Sequence, residues 1–241
     1  MVNVHSYESM GTFDGPGLRL VVFLQGCNFK CLYCANPDTI TLKGGTLTDP
    51  EEIVRMALSQ KAFFGKKGGI TFSGGEPTLQ AKELIPLFKR LREEGIHICL
   101  DTNGSVMNEE VRELLSLTNL VLLDMKEFNS ARHQQLTGRS NSQTIETAAY
   151  LQENNIPIWV RYVLVPGYTD FEEDIIALCE HIKSHSMIQR IEILPYHTLG
   201  MHKYESLNKP YLLKGVKENT PEQLEKAKAI FNKYCPVVYI N

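Results

Sequence analysis

The sequence predicts an α/β fold: a mostly parallel sheet forming an incomplete barrel of six βα units. Three observations carry this. Short β-branched, apolar runs alternate with amphipathic stretches along the chain, the pattern of repeated βα units. Six such units can be counted, whereas a closed eight-unit barrel takes about 250 residues. The 241 residues here also supply an amino-terminal lead, a cysteine-rich loop and a tail. No internal repeat or low-complexity linker interrupts the alternation, so a single domain over 1–241 is expected, with the lead at 1–17, the loop at 25–40 and a last helix and short strand within 221–241.

In chain order, the lead reads as hairpin-like and is followed by an apolar run at 18–24, the first expected strand. Further strands are expected at 69–73, 97–102, 120–126, 158–164 and 190–195, each a short run rich in β-branched and other apolar residues. The amphipathic segments between them predict helices at 49–61, 79–94, 107–116, 142–154 and 171–184. A helix at 221–233 and a strand at 237–240 complete the chain.

Composition bounds the function. At 43% hydrophobic and a formal charge of −3, the chain can bury one substantial core, and it has no Lys/Arg stripe of the kind nucleic acid demands. No apolar run reaches the roughly 18 to 20 residues of a membrane span, and Met1-Val2-Asn3-Val4-His5 lacks the basic start and apolar core of an export signal. A soluble, cytoplasmic protein is expected, monomeric and without a nucleic-acid or membrane partner.

Chemistry concentrates in Cys27-Asn28-Phe29-Lys30-Cys31-Leu32-Tyr33-Cys34. Thiolates are the usual holders of iron-sulfur clusters, and an electron carrier takes four of them per cluster. Three cysteines leave one corner of a 4Fe-4S cube without a protein ligand, and an open ligand position is the mark of a reactive metal centre. A structural zinc site would show a second spaced pair, but Cys99, Cys179 and Cys235 stand alone. A disulfide framework does not suit a chain without an export signal.

In βα barrels reactive groups sit at the carboxyl ends of strands, and the remaining motifs fall there. Ser73-Gly74-Gly75-Glu76-Pro77 follows the second strand; its glycines would permit close backbone approach to a ligand, though alone it is an ordinary turn. Asp101-Thr102-Asn103-Gly104 follows the third and reads equally well as a turn. In Leu122-Leu123-Asp124-Met125-Lys126, period-2 geometry puts Asp124 and Lys126 on one strand face with Leu122. Two charges there require a partner, either each other or a charged ligand. His197 lies at the sixth strand end, and Arg161 interrupts an apolar strand, facing either a cavity or a salt bridge at the wall.

The C-x3-C-x2-C spacing resembles that of the radical S-adenosylmethionine (SAM) family. The lead Ser9-Met10-Gly11-Thr12-Phe13-Asp14-Gly15-Pro16-Gly17-Leu18-Arg19, the segments around Cys27 and Cys34, and Leu123-Asp124-Met125-Lys126, Trp159-Val160-Arg161-Tyr162 and Leu194-Pro195-Tyr196-His197 are similar to its glycyl-radical-enzyme activases, nearly end to end. Several activases in that family carry an inserted ferredoxin-like domain, whereas segment 35–68 here contains no cysteine. The resemblance implies a radical-SAM-type partial (β/α)6 barrel, with Cys27, Cys31 and Cys34 holding a 4Fe-4S cluster. It implies that Gly74, Gly75 and Glu76 contact the amino group of SAM, and that Asp124, Met125, Lys126 and His197 line the rest of its site, with Tyr33 and Ala35 beside the adenosyl group. Ala35 departs from the family, which often has histidine there. By the same resemblance a monovalent cation (Na or K) would be held by oxygens of Asp101, Thr102, Asp124 and the Leu122 carbonyl. Asp14, Gly15, Pro16, Gly17 and Arg161 would meet the target protein.

The implied activity is hydrogen abstraction from one glycine of a glycyl radical enzyme, with flavodoxin or ferredoxin as electron donor. Two other classes stay open from sequence: a radical SAM enzyme acting on a small molecule, such as a deazaguanine-type synthase, and an iron-sulfur electron carrier.

Overall fold

The computed structural model describes residues 1–235 and 237–240, so Pro236 and Asn241 of the expected tail lie outside the described residues. The chain folds as two compact units, Met1–Asn28 with Thr39–Leu122, and Phe29–Asp38 with Leu123–Asn241.

In the first unit the lead becomes β1 (Val2–Gly11), which pairs antiparallel with β2 (Arg19–Leu24) as the expected hairpin. A short β3 (Thr46–Thr48), not foreseen in the sequence, pairs with the other edge of β1. Next come α1 (Pro50–Phe64), β4 (Gly69–Gly74), α2 (Ala81–Glu93), β5 (His97–Thr102), α3 (Glu109–Ser116) and β6 (Leu120–Asp124). Strands β2 and β4 run parallel in unbroken register from Arg19 opposite Gly69 to Leu24 opposite Gly74, and β5 continues beside β4. Leu20, Val21, Val22, Ile70, Phe72, Ile98 and Leu100 are fully buried, as strands covered on both faces should be. Helix starts are fixed locally: Asp49 accepts from the Glu51 amide with Pro50 at the first position, and Asn108 accepts from the Val111 amide.

The largest fully buried side chain of this unit is charged. Arg19 donates from Nε to Thr71 Oγ1 (2.5 Å), from Nη1 to Pro16 O (2.9 Å), and from Nη2 to Ile70 O (2.6 Å) and His97 O (3.1 Å). Thr71 Oγ1 in turn donates to Asp14 O (2.6 Å). The guanidinium therefore ties the starts of β2, β4 and β5 to the Asp14–Gly17 turn.

The second unit opens with the loop 29–38 and continues after β6 with α4 (Ser130–Thr137), α5 (Ser142–Glu153), β7 (Ile158–Leu164), α6 (Glu172–Ile182), β8 (Ile188–Pro195), α7 (Met201–Ser206), α8 (Pro221–Phe231) and β9 (Val238–Ile240). Strands β7, β8 and β9 pair in parallel. Helices α4 and α7 were not expected. Ser-Ala-Arg-His-Gln-Gln-Leu-Thr carries no apolar stripe, and α4 is held instead by the Asn129 cap at its start and by Gly138 in the left-handed region (φ 79°) at its end.

Within the first unit the strand order β3-β1-β2-β4-β5 is antiparallel at β3-β1-β2 and parallel at β2-β4-β5, and within the second β7-β8-β9 is parallel throughout, the mostly parallel α/β architecture that the sequence predicts. Among the described residues, no helix is long and apolar enough to cross a membrane.

In the second unit Glu127 is buried beside Asp174, which is itself ion-paired with Arg132. Desolvation first, and then the Asp174 charge, pushes the Glu127 carboxyl up to about 7, although the Asn129 amide bonded to it pulls the other way.

Two outcomes follow from these buried charges. Arg19→Met strands several acceptors and should lower the unfolding free energy by about 3 kcal/mol or more, seen as a lower urea midpoint at unchanged slope; a loss below about 1 kcal/mol would show that the guanidinium is not the anchor described. The folded chain keeps a proton on Glu127 that the unfolded chain releases above its ordinary value of 4.5, so stability should fall as pH rises from there through about 7. Glu127→Gln should flatten that fall in urea titrations between about pH 5 and pH 8, and parallel profiles for parent and variant would refute it.

Candidate functional site

In the first unit the motif residues converge at the carboxyl ends of β4 and β5. Gly74 adopts φ 99°, a conformation that favours glycine. A Cβ on Gly75 would sit 2.0 Å from Gly26 O, and the Gly75 and Glu76 amides donate to Leu24 O (2.9 Å) and Gly26 O (2.7 Å). The glycine pair thus lets one backbone lie against the segment leading into Cys27. Close approach to a ligand is the expectation for these glycines, and within this unit they also meet a close approach of the chain to itself.

Glu76 is buried and accepts four hydrogen bonds. Thr78 N (3.0 Å), Thr78 Oγ1 (2.5 Å) and Thr102 Oγ1 (2.6 Å) reach Oε1, and Asn103 N (2.8 Å) reaches Oε2. Burial raises its pKa, and these donors offset part of the rise. The carboxylate caps the 3-10 turn Pro77–Gln80 and fastens it to the end of β5. Asn103 Nδ2 then donates to Asn28 Oδ1 (3.2 Å), and Asn28 Nδ2 to Ser105 Oγ (2.7 Å), so the residue next to Cys27 is bound to the β5 loop. Asp101 Oδ2 accepts from Ser73 Oγ (2.6 Å), and the Thr102 hydroxyl also accepts from Gly104 N (3.0 Å). Leu122 is fully buried in β6.

The Asp14–Gly17 turn does not join this network. It precedes β2 whereas Cys27 follows it, and six residues of strand separate their levels by roughly 17 Å.

In the second unit, Cys31, Tyr33 and Cys34 share their surroundings with Asp124 and Lys126. The Cys34 amide donates to Cys31 O (3.1 Å), closing a turn between the two thiols. Neither thiol is in a disulfide, and both residues are half-buried. Desolvation pushes the Cys31 thiol up to about 12; Lys126 opposes the shift, and Cys34 and Asp124 add to it. Lys126 Nζ donates to Asp124 Oδ2 at 2.7 Å and lies 5.6 Å from the Tyr33 ring centre. Burial, the largest single effect, disfavours the ammonium, but the Asp124, Tyr33 and Cys31 charges and the hydrogen bond to Asp124 together raise the Lys126 pKa. Tyr33 is raised by desolvation.

Several expectations are sharpened here. The strand expected to 126 ends at Asp124, so Asp124 and Lys126 do not share a strand face. They meet because the chain beyond the ladder lets the ammonium reach back, and of the two partners left open, the pair takes each other. Met125 is buried, and its amide donates to Arg161 O (3.0 Å). Arg161 Nε lies 3.7 Å from Glu192 Oε2 on the neighbouring strand, the wall salt bridge rather than an open cavity. His197 is exposed beyond β8, and Ala35 lies under Gly200. Sequence reasoning passed over Asn28, Asn103, Lys203 and Tyr204. The asparagines stood inside quoted motifs as ordinary polar residues, and Lys203 and Tyr204 contact the cysteine loop from more than 160 positions away.

The donor set suits an iron-sulfur cube. It consists of three cysteines with no disulfide between them. A cube takes one thiolate per corner, which free cysteines can supply.

Comparison with known proteins agrees. The Radical SAM superfamily profile matches residues 21–179. The chain is 46% identical over 237 residues to the pyruvate formate-lyase-activating enzyme of Streptococcus mutans, covering 95% of this chain and 90% of that protein. It is 43% identical over 234 residues to the pyruvate formate-lyase 1-activating enzyme of Escherichia coli K12, covering 96% and 95%. A crystal structure of a domain of pyruvate-formate lyase-activating enzyme from Bacteroides vulgatus superposes with a TM-score of 0.61 at 27% identity, covering 72% of this chain and 99% of that one. With its cysteine spacing, its mostly parallel α/β architecture and these relatives, the chain belongs to the radical SAM superfamily and, within it, to the family of the pyruvate formate-lyase-activating enzymes.

Proposed function

We propose that this chain activates pyruvate formate-lyase by removing a hydrogen atom from one of its glycines. The observation that carries this is the three-cysteine loop within a chain more than 40% identical, over nearly its whole length, to named activating enzymes. Cys27, Cys31 and Cys34 would hold a 4Fe-4S cluster, which when bound and reduced by an electron donor would supply the chemistry for reductive cleavage of SAM and hydrogen abstraction from the glycine.

The protein's part is positioning and exclusion of competing hydrogen donors. Gly75 and Glu76 hold the segment before Cys27, and the Glu76 carboxylate, which accepts four hydrogen bonds within its own unit, acts by fixing the Gly74-Gly75 backbone that SAM's amino group would meet. Asp124 and Lys126 present one charge of each sign, suited to a zwitterionic methionine moiety, and Tyr33 offers an apolar face. The raised Cys31 thiol means that iron must displace a proton on loading. Roles for Met125, His197 and Ala35 at SAM, and for Asp14, Gly15, Pro16, Gly17 and Arg161 at the target, rest on resemblance. So does a Na or K ion on Asp101, Thr102, Asp124 and the Leu122 carbonyl, whose oxygen donors are of the hard type such an ion prefers. Flavodoxin or ferredoxin as donor, a monomeric state, a cytoplasmic location and a single catalytic domain over 1–241 complete the proposal.

Anaerobically reconstituted protein given dithionite, SAM and pyruvate formate-lyase should produce a glycine-centred EPR doublet together with 5'-deoxyadenosine. Cys31→Ala should produce neither; a normal doublet from that variant would refute the cluster assignment. 5'-Deoxyadenosine formed while the lyase stays radical-free would point to a different substrate.

A further inference from the structure

Between Lys30 and Asp38 the cysteine loop is bonded to helices much later in the chain. Its start rests on the end of α4, where Lys30 N donates to Thr137 O and Leu32 N to Leu136 O, each at 2.9 Å. Beyond Leu32 the support comes from α7. Tyr204 donates its hydroxyl to the Cys34 carbonyl at 3.1 Å. Lys203 Nζ donates to Asn36 Oδ1 at 2.7 Å and lies 3.3 Å from Asp38 Oδ1. Gly200, preceding α7, comes so close to Ala35 that a Cβ would meet its Cα and O at 2.8 Å.

A helix of six residues does not hold itself together in water, so this contact needs backing. Tyr204, 9% exposed, stacks edge-on against Tyr211 with ring centres 5.0 Å apart. The Tyr211 hydroxyl bonds that of Tyr196 at 2.7 Å. Tyr196 forms a small core with Val165 and Leu213, against which Leu32 and Tyr33 also pack. Both ends of the Tyr33-Cys34 segment are thus gripped from one cluster.

We infer that Lys203 and Tyr204 are positioning residues for the third cysteine: Tyr204 fixes the Cys34 carbonyl and Lys203 fixes the turn after it, so α7 sets the direction of the Cys34 sulfur. What that sulfur holds rests on the function proposed above, but the clamp itself is a property of the metal-free chain and can be tested there.

The test measures alkylation of each cysteine by iodoacetamide in the reduced apo protein spanning residues 1–241, read by mass spectrometry. In Tyr204→Phe and in Lys203→Met, Cys34 should react about fivefold faster, the effect of losing roughly one hydrogen bond. Cys27 should keep its rate, the urea midpoint should hold, and Lys203→Arg should return Cys34 to the parent rate. Equal Cys34 rates in parent and variants overturn the clamp. So does a faster rate accompanied by an equal rise at Cys27 or a fallen midpoint, because that is general loosening. In iron-loaded protein the same two variants should release iron to a chelator faster than the parent. A parent that takes up no iron would overturn the cluster assignment, while the alkylation rates would still decide the clamp.

Discussion

Every polar group buried at the ends of these parallel strands has to find its partner inside the protein, and that constraint organises the molecule. A strand such as Leu20-Val21-Val22 offers nothing to a neighbouring charge. Arg19 is therefore satisfied by carbonyls and a threonine hydroxyl, Glu76 by two amides and two hydroxyls, and Lys126 by Asp124. Each arrangement also does structural work. The donors that satisfy Glu76 come from the turn it caps and from the end of β5, so meeting its needs joins two loops that the backbone ladder leaves free.

The same logic explains why the cysteine loop is borne by other elements. Regular backbone pairing is sparse in this loop: the Gly26 and Cys27 amides close onto Thr39 O and Ile40 O at its neck, and the Cys34 amide closes onto Cys31 O further in. The Lys30 and Leu32 amides are taken up by α4 and the Cys34 carbonyl by α7, and the apolar Leu32 and Tyr33 pack on the core around Tyr196. The segment that carries Cys31 and Cys34 is thus held in part by elements much later in the chain. That division suits a site whose chemistry comes from a bound group and whose protein contributes orientation.

Motif and geometry overlap here without coinciding. The glycines of Ser73-Gly74-Gly75-Glu76 meet a steric demand of their own chain, the close pass against Gly26. A residue pattern marks a place where the backbone is constrained, and the constraint can serve the fold and the ligand together. Asp124 and Lys126 show the converse. Their two-residue spacing suggested a shared strand face, yet they meet because the strand stops between them.

The amino-acid sequence by itself determined the α/β class, the alternation of strands and helices, the three-cysteine loop and the placing of its companion motifs after strand ends. These are local properties, since periodicity, β-branched runs and short spacings are written in neighbouring residues. The short elements β3, α4 and α7 escaped it, because they are held by caps and packing rather than by an apolar stripe. Tertiary structure alone decided that Arg161 faces Glu192, that Glu76 spends its carboxylate within its own unit, that the Asp14–Gly17 turn belongs to the starts of the strands, and that Lys203 and Tyr204 grip the cysteine loop. Each of these is a contact between residues far apart in the chain, and one sequence carries no record of which distant groups folding brings within hydrogen-bonding reach.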